Sequence, residues 1–279
     1  MKNILLPVNS IKHEMNEIDF ACYIANLSHS KLTGVFMEDI PEPQIPILKT
    51  ALGFPYVETI IARDIPENEE KMKSCSQNIH VFKEACLNRG VSCDIHQDLF
   101  VPVKEVIAES RFADLIIVNA ETSFESKPEN IPTRFVKDVL ARSECPVVIA
   151  PLSFDSIDEI LFTYNGSPSS VFAINQFAYL FPELENKKVT LLEVQEKDRQ
   201  FSEDQDRIND LISRHYSSIH LQVLKGKARD ELFGYLLGKK NTFVIMGAFG
   251  RSLLSDLIRP SAGEFVTKVI NLPIFIAHC

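Results

Sequence analysis

Short apolar runs recur along the chain, and between them the apolar positions open out to helical spacing. Residues 2–9 contain Ile4-Leu5-Leu6-Pro7-Val8, a continuous run suited to a strand buried on both faces. Over 14–29, Ile18, Cys22, Ala25 and Leu27 fall near a 3.6-residue period, which predicts an amphipathic helix. Leu32 to Phe36 predicts a second strand, and the prolines at 41, 43, 46, 55 and 66 then predict no long regular element. A helix from Glu69 to Asn88, a strand from Val91 to His96, a helix from Val103 to Ser110 and a strand from Ala113 to Val118 follow. A helix from Thr133 to Arg142 and the strand Pro146 to Ala150 complete this half.

The alternation then starts again. Strands are predicted at 159–164, 188–194, 219–224, 242–246 and 273–277, with helices at 169–180, 203–216, 228–237 and 261–270. The charge-rich run Glu196 to Asp210 reads as the solvated start of the second of these helices. Three anchors mark an internal repeat. Asn9-Ser10 matches Asn165-Gly166-Ser167, Pro132-Thr133 matches Pro260-Ser261, and Cys145 to Ala150 matches Leu272 to Ala277. Asn9 and Thr122 are 113 positions apart where Asn165 and Gly250 are 85 apart, and the excess is about the size of the segment 41–68. That segment carries Ile45, Ile47, Leu48, Leu52, Phe54, Tyr56, Val57, Ile60 and Ile61, too apolar for a free linker. It is expected to pack over its own domain or across to another, or to dock a protein partner. Domains of 1–152 and 153–279 are therefore expected, each a doubly wound parallel sheet with right-handed crossovers.

Composition narrows the function classes. The 279 residues are 45% hydrophobic and 24% charged, with a net charge of −9, which disfavours a nucleic-acid backbone as partner. Residues 1–152 carry 15 basic and 22 acidic groups and residues 153–279 carry 14 and 16, so the second half opposes an anion less. The opening apolar run is too short for a signal peptide, and no stretch reaches membrane-span length. The six cysteines lack any C-x-x-C pair and read as reduced thiols of a cytoplasmic protein. The seven histidines show no metal-ligand spacing, so no metal site is expected. Neither a nucleophile elbow nor a P-loop is present.

Candidate chemistry concentrates after the strand Phe243 to Met246. Gly247-x-x-Gly250 allows a sharp turn close to a ligand, and Ser261 with Glu264 fits a capping box. A glycine loop beside a helix N-terminus suits an anion. Its place beyond the carboxyl end of a parallel strand is where such sheets bind ligands.

Together these features resemble the universal stress protein family in its tandem form, over nearly the whole length apart from 41–68. The resemblance implies α/β domains with five parallel strands and, in one branch, ATP held by a Gly-x-x-Gly, nine-residue, Gly-Ser/Thr pattern. Gly247 and Gly250 match, and Arg251 to Arg259 supplies the nine residues. The next pair is Pro260-Ser261, so proline stands for the family's glycine. Asn165 stands for its first-strand aspartate, and Thr163, Tyr164, Val194 and Met246 correspond to adenosine-lining positions. Arg251, Pro260, Ser261 and Ala262 complete the implied nucleotide set.

Two departures leave alternatives open. Pro260 lacks an N–H and, with Ser261, also reads as a simple helix cap, whereas Arg251 and Arg259 could supply phosphate charge. Asn165 reads either as an adenine or ribose partner or as a turn residue before Gly166. In the first half Asn119 and Thr122 replace the glycines and Asn9 the aspartate, so no nucleotide is expected there. The expectation is a non-catalytic cytoplasmic stress-response protein whose halves pair through their last strands. ATP or AMP would be confined to the second half, and a homodimer or protein partner is allowed for. A nucleotide-independent interaction module and a slow ATPase are the alternatives.

Overall fold

The computed structural model describes residues 1–9, 15–37, 44–51, 54–61, 66–98, 102–125, 127–195, 205–247 and 271–277. In chain order its elements are β1 (Asn3–Asn9), α1 (Met15–Leu27), β2 (Lys31–Met37), β3 (Gln44–Ala51), β4 (Phe54–Ile61), α2 (Pro66–Asn88), β5 (Cys93–Asp98), α3 (Pro102–Ser110), β6 (Leu115–Asn119), α4 (Arg134–Arg142) and β7 (Val147–Ala150). The second series is β8 (Glu159–Tyr164), α5 (Pro168–Leu180), β9 (Lys188–Gln195), α6 (Gln205–Ser213), β10 (Ile219–Lys225), α7 (Ala228–Leu237), β11 (Thr242–Met246) and β12 (Ile274–Ile276). The helix expected over 261–270 lies outside the described residues.

Ten strands form one sheet in the order β10-β9-β8-β11-β12-β7-β6-β1-β2-β5. Each half contributes five parallel strands in the same relative order, and the halves meet at an antiparallel pair, Ile274 with Ile149, Phe275 with Val148 and Ile276 with Val147. Strands β1, β6, β7, β8, β11 and β12 are apolar over most of their length because both faces of the sheet are covered. Side chains of α1, α2, α5 and α6 share one apolar layer, and those of α3, α4 and α7 share the other. Both layers run through both halves. Antiparallel pairing with like helices on the same face means a pseudo-twofold axis perpendicular to the sheet.

Local chemistry sets the element ends. Thr133 accepts a hydrogen bond from Val136 N–H at the start of α4, and Ser167 accepts one from Ser170 N–H at the start of α5, where Pro168 opens the first turn. α2 begins at Pro66, earlier than its apolar period suggests, because proline at the first turn forfeits no helical bond.

The proline-rich segment is the principal departure from expectation. β3 and β4 pair antiparallel over eight residues each, from Gln44 with Ile61 to Ala51 with Phe54. Every strand of a two-stranded ribbon is an edge, so alternate N–H groups point outward and Pro46 and Pro55 are accommodated. Leu48, Phe54, Tyr56 and Val57 are exposed, on both faces of the hairpin. These described side chains do not pack over a domain as expected.

The segment between the halves is held at both sides. Asn271 Oδ1 accepts from Leu152 N–H at 2.7 Å and Ser153 N–H at 3.1 Å. Phe154 packs edge-on against Phe20 of α1, with centroids 5.0 Å apart, and against Tyr23 at 4.6 Å. At the start of β8, the nearly buried Glu159 accepts from Thr190 Oγ1 and Lys239 Nζ, each at 2.7 Å. Burial raises the Glu159 pKa, but these two donors outweigh it and hold the carboxyl below its usual range.

Candidate functional site

In each half the first and fourth strands are neighbours, and the strands that follow them in the chain lie on opposite sides of that pair within the sheet. Their carboxyl ends frame the crevice where doubly wound sheets take ligands. β8 and β11 form it in the second half, β1 and β6 in the first.

At the end of β8, Thr163 Oγ1 donates to the Ile245 carbonyl of β11 at 3.0 Å and ties the two strands together. The chain then turns at Asn165, Gly166 and Ser167. Asn165 is exposed, and its Oδ1 accepts from Ser167 N–H at 3.1 Å, an Asx turn. Gly166 adopts φ 76°, a conformation that favours glycine. The turn aims the first residues of α5 at the end of β11. Gly247 is buried there, and a Cβ on it would lie 2.6 Å from the carbonyl carbon and oxygen of Ser169 and 2.7 Å from Ser170 N. The absent side chain at 247 is what lets strand end and helix start touch.

The remaining expected residues divide. Val194, half-buried, stands near the end of β9 beside this rim. Tyr164 is 5% exposed and joins the apolar layer with Ala173 and Phe177 of α5. Met246 is 2% exposed and joins the opposite layer with Leu232 and Leu236 of α7. These two therefore serve the core on opposite sheet faces. Gly250, Arg251, Pro260, Ser261 and Ala262 lie outside the described residues.

The first half is built differently at the equivalent place. Asn119 N–H donates to Glu17 Oε1 at 2.9 Å and lies 3.2 Å from Thr122 Oγ1. Asn119 Oδ1 accepts from Glu121 N–H at 2.9 Å, and Asn9 Nδ2 donates to the Ser123 carbonyl at 2.6 Å. Thr133 N–H donates to the Ala120 carbonyl at 3.2 Å, closing the loop against the start of α4. Glu17, only 8% exposed, places a carboxylate where an incoming anion would need donors. Sequence reasoning passed over Glu17, because a carboxylate in the first turn of a helix is ordinary and nothing local shows that it reaches β6.

No family model matches the sequence, and no curated protein matches it. Solved structures do. A universal stress protein from Archaeoglobus fulgidus DSM 4304 aligns with a TM-score of 0.66 at 14% identity, over 99% of this chain and 96% of that one. A structure described as a universal stress protein from Pseudomonas aeruginosa UCBPP-PA14 gives 0.55 at 12% identity, over 99% and 93%. A functionally unknown protein from Pseudomonas aeruginosa PAO1 gives 0.53 at 12%, over 99% and 92%. The chain has, end to end, the fold of these universal stress protein structures. Among the described residues, no helix is long and apolar enough to cross a membrane.

Proposed function

We propose that this chain is a cytoplasmic, non-catalytic stress-response protein of two domains, 1–152 and 153–279. In this reading it takes an adenine nucleotide, ATP or AMP, in the second domain alone. The contrast between Gly247 and Asn119 carries the proposal. The first half fills its crevice with its own Glu17, Asn119 and Thr122, and the donor that would serve a ligand is already engaged. The second half keeps glycine at the equivalent strand end and an exposed Asn165 at the rim. The Asx turn uses the Asn165 carbonyl oxygen and leaves the amide NH2 to offer a base or ribose. An amide at this position also provides no proton-accepting charge, which favours holding a nucleotide over hydrolysing it.

Photo-crosslinking with 8-azido-ATP, followed by peptide mapping, tests this. Labelling of peptides spanning 163–170 or 194–195, reduced at least about fivefold by Asn165→Ala and unchanged by Asn9→Ala, is the expected result. Labelling confined to the first half, or unaffected by Asn165→Ala, overturns it.

One observation favours a second reading, a nucleotide-independent interaction module. The β3–β4 hairpin exposes apolar side chains on both faces, and an isolated two-stranded hairpin is marginal in water. A protein partner lost on deleting residues 44–61, and indifferent to nucleotide, would support it.

A further inference from the structure

We propose that His96, Glu105 and Glu109 form a binding site for a divalent first-row transition ion, with Zn2+ the best fit. β5 is an edge strand of the sheet, and its His96 meets Glu105 of α3. Strand alternation turns His96 toward α3, while the adjacent Gln97 reaches Cys75 of α2 on the other side. Glu105 stands one helical turn before Glu109, so both carboxylates project from the same side of α3. His96 Nε2 lies 2.9 Å from Glu105 Oε1, and one ligand atom from each of the three residues lies within 4.8 Å of the others. All three are half-buried.

An ion with bonds of about 2.0–2.2 Å to nitrogen and oxygen needs its ligand atoms about 3.3–3.5 Å apart. Around an ion the 2.9 Å His96–Glu105 pair would open slightly and the third ligand atom would move in. One imidazole and two carboxylates suit Zn2+ better than Mg2+, which prefers an all-oxygen shell. A cation would relieve the repulsion between the two carboxylates on α3 and would tie the sheet edge to its covering helix. The spacing along the sequence conceals the site, because its ligands come from a strand and a helix.

The test is Zn2+ titration of the full chain against a chromophoric chelator, with Co2+ spectra to reveal the donor atoms. One ion per chain is expected, without a thiolate-to-cobalt charge-transfer band. His96→Ala and Glu109→Gln should each weaken binding at least about tenfold, and Cys93→Ser should leave it unchanged. Glu109→Gln preserves shape on a helix surface, so its circular dichroism and metal-free Tm should match the parent. Added Zn2+ should raise Tm in the parent only. Parent-like Zn2+ affinity in both variants, a thiolate band, or no Zn2+ binding by the parent overturns the proposal.

Discussion

Gly247 lies so close to Ser169 that a single added carbon would approach its carbonyl group to 2.6 Å. The atoms it would strike are backbone, in the capped first turn of α5, and cannot swing aside. Gly247→Ala is therefore expected to cost about 1–3 kcal/mol, and Gly247→Val more. Urea denaturation of the purified variants measures it, and parent-like midpoints would show that the strand end can shift. Loss of nucleotide binding in such a variant would follow from a displaced α5 as readily as from a blocked phosphate seat. Asn165→Ala is the cleaner probe.

The buried end of β8 makes a different prediction. Glu159 has a folded pKa depressed below the unfolded value of about 4.3. Its contribution is present above that value and is lost as pH falls through the depressed folded one. Lys239 has a raised folded pKa, because its bonds to Glu159 outweigh burial, so its contribution is retained until pH rises above about 10.4. Glu159→Gln should cost about 1–3 kcal/mol at neutral pH and flatten the acid limb of the stability profile. Thermal melts between pH 3 and 7, on the order of one per pH unit, decide it. An unchanged acid limb would assign the acid sensitivity to other carboxylates.

Phe177 is the hub of an aromatic cluster. It meets Phe162, Phe181, Phe243 and Phe275 with ring centroids between 4.9 and 5.9 Å apart. Phe275 belongs to β12, the strand that joins the halves. Phe177→Ala should cost about 3–5 kcal/mol. Differential scanning calorimetry should show a single transition shifted down. A new low-temperature transition with the rest unmoved would mean that the halves unfold independently.

Thiol chemistry separates exposure from composition. Cys22, Cys75, Cys86 and Cys145 are buried, Cys93 is half-buried, and burial pushes the Cys145 pKa up to about 12. Among these five, Cys93 should be alkylated first at pH 7.5 (about one unit below a free thiol's pKa), and the others only in denaturant. Mass mapping of iodoacetamide adducts tests this, and early labelling of Cys145 would contradict it.

The alternation of elements was plain in the sequence because the central strands β1, β6, β7, β8, β11 and β12 are apolar runs, and the described helices between them carry apolar residues at helical spacing. The hairpin was missed for a physical reason. Proline forbids a central strand but not a two-stranded ribbon, and nothing local distinguishes the two. The site was legible only in part. Gly247 and Asn165 could be placed at strand ends, and the turn at Asn165 was one of its two readings, but the approach of Gly247 to Ser169 and the reach of Glu17 to Asn119 depend on contacts between distant segments. The resemblance implied that Tyr164 and Met246 line a nucleotide, whereas the structure buries both in the core, on opposite faces of the sheet.

Covalent continuity across the β7–β12 pair frees the two crevices from having to be alike. In a dimer of identical chains, any substitution appears at both copies of a site. Here Glu17 and Asn119 occupy one strand end while Gly247 admits the start of α5 at the other, and neither choice is imposed on its counterpart. The antiparallel join also directs the two sets of strand ends to opposite rims of the molecule. One rim can keep its polar groups satisfied internally and act as scaffold while the other remains open to change.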